Sequence, residues 1–271
     1  MSEGEENKIV LKPIGVVRSP VKDGREMPVQ GVPAVVEVFP QYTDGLRGIE
    51  SNTHLIVIGW LHQASRDTLL LSRYGRPERG VFGLRAPARP NPLGLNAARV
   101  TSIKGGKVHL DRLDMIDGTP ILDLKRYSPG WDSIFSARTS RDLGYPADRD
   151  PATVLRDMLV EAVNFHGESC IGIALGVRII YHAMSTWRIG KKEPAMAVRW
   201  GRGGCINDAL QGLSGATSGN GRLRPGPGSD YSISYKRRTL VFQPKPDLPD
   251  TVTGILEADI SRLFLVRASP K

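Results

Sequence analysis

Two hydrophobic periods divide the chain. Through about residue 127, apolar residues come in short β-branched runs bounded by Gly, Pro, Asn or Asp: "IVLKPIGVVRSP", "AVVEVFP", "HLIVIGWLH", "GVFGL", "AARVTSI", "KVHLDRL" and "ILDLKRY". Between two of them, Lys104-Gly105-Gly106-Lys107 carries the glycine pair that a tight hairpin turn requires. Many short strands without long helices between them predict a barrel or a sandwich, and a barrel is the expectation here. The pattern changes at residue 136. "SARTSRDLGYPADRDP" is polar and broken by Gly and Pro, and 136–150 reads as a linker. Asp150-Pro151 then supplies an N-cap and a first-turn proline, and Val154, Leu155, Met158, Leu159, Ala162 and Val163 recur at helical spacing, predicting a helix over 151–164. Further on, the pattern predicts a helix over 171–187, a strand over 195–200 and a short helix over 206–213. A Gly/Pro/Ser-rich loop over 214–229, strands over 231–235 and 239–243 and a closing helix over 251–263 complete the reading. The expected architecture is an N-terminal all-β barrel-like domain (8–135), a linker (136–150) and an α+β domain (151–271).

Composition narrows the class. With 40% hydrophobic and 24% charged residues in 271, the chain reads as globular. No apolar run approaches the ~18 residues of a membrane span, so no membrane partner is expected. The acidic start MSEGEENK is unlike a signal peptide, which points to the cytoplasm. Two cysteines, Cys170 and Cys205, cannot build a disulfide framework and read as free thiols or metal ligands. The net charge is +9, and from Arg66 to Lys104 eight Lys or Arg stand against Asp67 and Glu78 alone. That segment is either a solvated basic surface or a patch for a polyanion.

Two turns carry candidate chemistry in the first half. In "RAPARPNPLGL", Arg89-Pro90-Asn91-Pro92 samples few backbone conformations, so Asn91 would present its amide at little entropic cost. Gly94 allows close approach of a ligand, and Arg85 and Arg89 are planar cations suited to carboxylate or phosphate. In "LDMIDGTPILDLK", Asp114 and Asp117 precede the turn Gly118-Thr119-Pro120 and suit an ammonium group or a ribose hydroxyl, or serve only the turn. No G-x-G-x-x-G follows a strand and opens a helix, which disfavours a dinucleotide-type methyltransferase fold.

"IGVVRSP", "HLIVIGWLH", "GVFGLRAPARPNPLGL" and "LDMIDGTPILDLKRY", in this order and spacing, resemble the TsaA/TrmO family of S-adenosylmethionine-dependent methyltransferases. The resemblance covers about residues 8–135. It implies a β-barrel and a cofactor site at Arg85, Arg89, Pro90, Asn91, Pro92, Gly94, Asp114, Asp117, Gly118, Thr119 and Pro120, with Arg18 and His62 in the same cleft. It also implies methylation of the exocyclic nitrogen of threonylcarbamoyladenosine beside the tRNA anticodon, and a homodimer. Family members often carry Ser-Thr after the first arginine, where this chain has Ala86-Pro87. A sulfonium methyl is already activated, so the protein must align the acceptor and take its proton, for which His62 and Asp117 are the candidates.

In the second half, "FHGESCIGIALGVR" puts His166 four residues before Cys170, within reach of one helical turn, and "GGCINDALQGLSGATSGNGRL" holds Cys205. An imidazole and two thiolates suit zinc or a similar divalent metal with an open position, although free cysteines are also ordinary core residues. These stretches look like the FmdE family over about residues 151–243. The resemblance implies metal ligation by His166, Cys170 and Cys205, with Asn207, Asp208, Gln211, Thr217 and Gly219 shaping the pocket. Where the family commonly reads H-G-H-x-C-P-G, this chain has Glu168 and Ile171 in place of the histidine and the proline. Three functions follow: a tRNA methyltransferase, a methyltransferase for a small molecule or metal-bound cofactor presented by the second domain, or a sensor that binds S-adenosylmethionine without turnover.

Overall fold

Burial alternates residue by residue along β1 (Gly15–Arg18), β2 (Val32–Val38) and β3 (His54–Trp60), so each presents one face inward. They belong to a computed structural model that describes residues 9–72, 77–201, 204–226 and 228–270. Contacts divide the chain into two units, Met1–Ser133 and Ile134–Lys271. In the first, β4 (Leu70–Leu71) and β5 (Arg79–Gly80) pair only with each other. They are followed by β6 (Leu93–Lys104), β7 (Lys107–Leu113) and β8 (Pro120–Arg126). The six longer strands close a barrel in the order β1-β2-β7-β6-β3-β8, filled by Val17, Val36, Leu55, Val57, Val108 and Ile121 among others. The β6–β7 hairpin turns at Gly105 and Gly106, both at positive φ (56° and 78°), where side chains with a Cβ are strained.

One expected strand is cut short. "GVFGL" gives only Gly80 to β5, opposite Leu70, and then forms a 3-10 turn over Val81–Gly83, because a run this short and glycine-punctuated buries only Val81. The unit ends in the short helix α1 (Pro129–Asp132).

The second unit includes the stretch expected to be a linker. There, α2 (Ser140–Leu143) places Asp142 in a buried position 2.8 Å from Lys191 Nζ, and Gly144 bridges to Ile189. A polar composition concealed this docking, because the stretch is held by an ion pair and backbone contacts rather than by an apolar stripe. Helix α3 (Pro151–His166) begins as expected, with the Asp150 carboxylate accepting from Thr153 N at 2.9 Å, and ends at Gly167 (φ 106°). It is followed by α4 (Ile171–Trp187), β9 (Met196–Trp200), α5 (Cys205–Ser214), β10 (Leu223–Pro225), β11 (Tyr231–Tyr235) and β12 (Arg238–Pro244).

Two further differences from the pattern reading appear here. The loop over 214–229 contains β10, and the expected closing helix splits into α6 (Val252–Glu257) and α7 (Ile260–Leu263) before an edge strand, β13 (Phe264–Pro270). Ala258 and Asp259 are extended, and Asp259 caps α7 by accepting from Ser261 N, which breaks the helix. The sheet runs β10-β9-β11-β12-β13. Met196, Val198, Ile233, Leu240 and Phe242 share the core with the buried face of α4.

Candidate functional site

A cleft of about 620 Å³ opens in the first unit between the proline-framed turn, residues 114–119 and residues 23–27. The turn is rigid through its own bonding as well as its prolines. Leu93 N donates to Asn91 O at 2.7 Å around Pro92, Leu61 N donates to Pro92 O at 2.8 Å, and Arg89 N donates to Ser65 O at 3.0 Å. Arg89 is spent inside the loop: Nε donates to Ala86 O (2.8 Å), and Nη2 donates to Val81 O (3.1 Å) and to Leu84 O. Its guanidinium fork gathers three carbonyls of this wall, of which Val81 O also accepts from Leu84 N at 3.0 Å. Arg85 is different. It is exposed in the cleft, bonds only Leu95 O among the described residues, and its charge acts on Asp114.

The floor is set by glycines. Gly94 pairs with Gly59 across β6 and β3, and a Cβ on either would crowd the buried Met115, at 2.9 Å from Cε and 2.7 Å from Sδ respectively. Opposite, Gly118 takes φ 75° and donates to Val17 O (2.9 Å), and the fully buried Thr119 gives its hydroxyl to Ile116 O at 2.7 Å. Asp117 serves this turn: its carboxylate accepts from Ser19 N (3.1 Å) and its own N donates to Val21 O. Asp114 looks into the cleft. Solvent reaches it through the opening, yet the surrounding protein pushes its carboxyl above the ordinary aspartate range, with Arg85 pulling the other way.

In the second unit, three helix ends meet. His166 closes α3, Cys170 is the N-cap of α4 and Cys205 opens α5. One ligand atom from each lies within 4.8 Å of the others. The α4–α5 approach that permits this is close: a Cβ on Gly172 would sit 2.8 Å from Cys205 Cβ, and one on Gly176 2.5 Å from Ala209 Cβ. Asp208 Oδ2 holds His166 Nδ1 at 2.8 Å, leaving Nε2 4.0 Å from Cys170 Sγ. The Cys205 thiol is pushed up by its hydrogen bond with Cys170 and then by burial, and a cation held by both sulfurs would displace the thiol protons. Two thiols, an imidazole and a carboxylate behind the imidazole fit a tetrahedral zinc-type ion with its fourth position open. Glu168 is exposed and outside the cluster.

The family model of the tRNA-methyltransferase O N-terminal domain matches residues 16–133. An S-adenosyl-L-methionine-binding protein of Archaeoglobus fulgidus is 41% identical over 131 residues, 46% of this chain and 94% of that protein. The chain belongs to the TrmO-like family of S-adenosylmethionine-dependent methyltransferases. Behind the TrmO-like unit, residues 165–243 match the model described as FmdE, molybdenum formylmethanofuran dehydrogenase operon. A second Archaeoglobus fulgidus protein, named "Probable S-adenosyl-L-methionine-binding protein", is 37% identical over 229 residues, 79% of this chain, and the match spans 60% of that protein. The solved TrmO from Pseudomonas aeruginosa is 23% identical, with a TM-score of 0.43 over 90% of this chain and 96% of that one. No helix among the described residues is long and apolar enough to cross a membrane.

Of the residues expected at the TrmO-like cofactor site, His62, Arg85, Arg89, Gly94, Asp114 and Thr119 line the cleft. Pro90, Asn91, Pro92, Asp117, Gly118 and Pro120 do not line it, and those with the bonds given above brace the two turns from outside. Arg18 also lies off the cleft, paired with Glu37 at 2.7 Å on the β1–β2 surface. In the FmdE unit, Asn207 Oδ1 is buried without a hydrogen-bond partner among the described residues. Thr217 accepts from Asn220 N in the following loop, near Gly219, and Gln211 stands one turn after Asn207 on α5. Asp23, Arg25, Met27, Gln63 and Met115 line the cleft without having been expected. For the first two, the signal was the Asp23-Gly24 turn dipeptide, with Asp23 held at about 2 by Arg25. Gln63 and Met115 carried none, because their apposition is tertiary.

Proposed function

We propose that this chain transfers the methyl group of S-adenosylmethionine to tRNA, at the exocyclic nitrogen of threonylcarbamoyladenosine beside the anticodon. The observation that carries the reading is the cleft, lined by Arg85 and Asp114, where the absence of a Cβ on Gly94 lets Leu61 and Met115 pack closely against the backbone. Its volume is in the range of small-molecule sites. Bound there, the cofactor supplies a methyl already activated on sulfonium. Arg85 suits its carboxylate, Asp114 its ammonium or a ribose hydroxyl, and Arg89 holds the wall that aligns them. His62, which lines the cleft, would take the acceptor proton in this reading, whereas the carboxylate of Asp117 is engaged by Ser19 N. The family resemblance supports a homodimer, which sedimentation of the purified chain tests.

Labelled S-adenosylmethionine offered to a tRNA fraction and to a small-molecule extract decides the acceptor. The expected outcome is label in tRNA, on a nucleoside whose mass is raised by one methyl. Label only in the small-molecule extract would overturn the tRNA assignment. The thiol–imidazole cluster favours a second reading, in which zinc or another divalent cation held by His166, Cys170 and Cys205 presents a small acceptor. Metal analysis is expected to find about one ion per chain, lost in Cys170→Ser and Cys205→Ser.

A further inference from the structure

The sheet of the FmdE unit has one face in the core and one in the open. Side chains alternate across it, so Met196, Val198, Ile233, Leu240 and Phe242 are buried and Ala197, Arg199, Ser232, Thr239 and Val241 point the other way. Strand register aligns Arg224 with Arg199, Arg199 with Ser232, Ser232 with Val241 and Val241 with Arg267. A single row therefore crosses the whole sheet with arginine on three of its five strands. At ~4.8 Å per strand it is ~19 Å long, enough to follow a charged backbone for several phosphates. No Asp or Glu occurs in any of the five strands. Asp230, which adjoins β11, pairs with Arg267 at 3.0 Å, so the pair offsets one of the three arginines. Among the described residues, Arg199 and Arg224 have no ion-pair partner. Ser232, Ser234 and Thr239 supply short hydroxyls between the cations.

Charge over the two units points the same way. The second carries 19 Lys or Arg against 13 Asp or Glu, and the first 18 against 15, so most of the excess lies in the FmdE unit. In the basic run of the first unit, Arg89 is held by three carbonyls and Arg99 lies 3.9 Å from Asp111, whereas on the sheet Arg224 gives only Nε to a carbonyl, Gly221 O at 3.0 Å.

We infer that the open face of this sheet is an RNA-docking surface that holds the sugar-phosphate backbone of a folded RNA. Sheets that read single-stranded bases stack them on exposed aromatics. Here Trp200, Tyr231 and Tyr235 alternate onto the helix side with the core, and among the described residues of the strands the open face carries no aromatic side chain. A surface of arginines and hydroxyls grips phosphate and ribose, and does not read bases. This inference rests on the tRNA reading above and assigns the second unit its part in it: anchoring the RNA whose nucleotide the TrmO-like unit modifies.

Binding of the full chain to bulk folded tRNA, titrated over a range of KCl, tests it beside an unstructured polyuridine of similar length. The double variant Arg199→Gln/Arg224→Gln should bind tRNA more weakly, with the log–log salt slope shallower by about two. Arg199→Lys/Arg224→Lys should keep the slope, which separates charge from fold, and cofactor binding should stay at the wild-type level in both. Polyuridine should bind more weakly than tRNA. An unchanged tRNA affinity and slope in the glutamine variant, or tighter binding of polyuridine, would overturn the surface. If the slope changes as expected but tRNA gains no methyl label, the surface stands and the acceptor assignment fails. If the glutamine variant methylates tRNA at the wild-type kcat/KM, the surface fails and the acceptor assignment stands.

Discussion

The cleft of the TrmO-like unit is made of loops that spend their polar groups on one another, whereas the FmdE unit brings its ligand atoms to the ends of helices. In the first, Arg89 ties Val81, Leu84 and Ala86 through their carbonyls, and Asp117 ties the following turn to residues 19–21. Arg85 and Asp114 are thereby left to face a ligand. In the second, His166, Cys170 and Cys205 are placed by helix packing, with Gly172 and Gly176 setting how closely α4 and α5 approach. A loop-built site loses its geometry when an internal hydrogen-bonding hub is removed. A packing-built site loses it when a Cβ is added.

The largest expected effect follows from that second rule. Gly176→Ala adds a Cβ 2.5 Å from Ala209 Cβ and 2.9 Å from Ile206 O, where backbone cannot give way. Although alanine favours a helix by ~1 kcal/mol, the overpacking should leave a net loss of about 2 kcal/mol, read in chemical denaturation, with metal content falling as Cys205 moves away. Gly94→Ala should cost less, about 1 kcal/mol, because the neighbours at 2.9 Å are the mobile ends of Leu61 and Met115. Equal losses at the two glycines would break the contrast.

Next come the two arginines of the turn. Arg89→Ala removes three carbonyl partners at once and should weaken S-adenosylmethionine binding by about 2 kcal/mol, some thirtyfold, while making residues 81–92 cleavable by protease. Arg89→Lys should not rescue it, since an ammonium lacks the planar fork. Arg85→Ala should weaken binding by about tenfold with the loop still protected. If both alanine variants leave the loop protected, Arg89 is not the hub.

The smallest effect concerns Asp114. Its carboxyl sits above the ordinary range because the folded protein disfavours the charged form. Folding is therefore penalised once pH rises through the folded-state value, and the penalty vanishes below the unfolded one. Asp114→Asn should raise the melting temperature slightly at neutral pH, with the gain disappearing in acid, while S-adenosylmethionine affinity falls. A variant that is no more stable and binds normally would remove Asp114 from the site.

Much of this was legible along the chain. Alternation marked the barrel strands, Asp150-Pro151 marked the start of α3, and the glycines of 105–106 marked a hairpin, because each depends on neighbours close in sequence. "GVFGL" misled because only its first residue pairs, Gly80 with Leu70, before the chain turns, and β13 was hidden because an edge strand is defined by β12 beside it. Arg89 was legible as a cation suited to a ligand. Its use as a brace depends on where three carbonyls point once the loop has folded.

The sequence by itself determined the periods, caps and turns, the two families, and the residue types available for chemistry, since all of these are local or ordered along the chain. Tertiary structure alone decided which of those residues share a site. Cys170 and Cys205 are 35 positions apart and meet only because two glycines let α4 and α5 touch. Arg199, Arg224 and Arg267 form one row only because strand register aligns them. Proximity of that kind is a property of packing and register, which no local stretch of sequence contains.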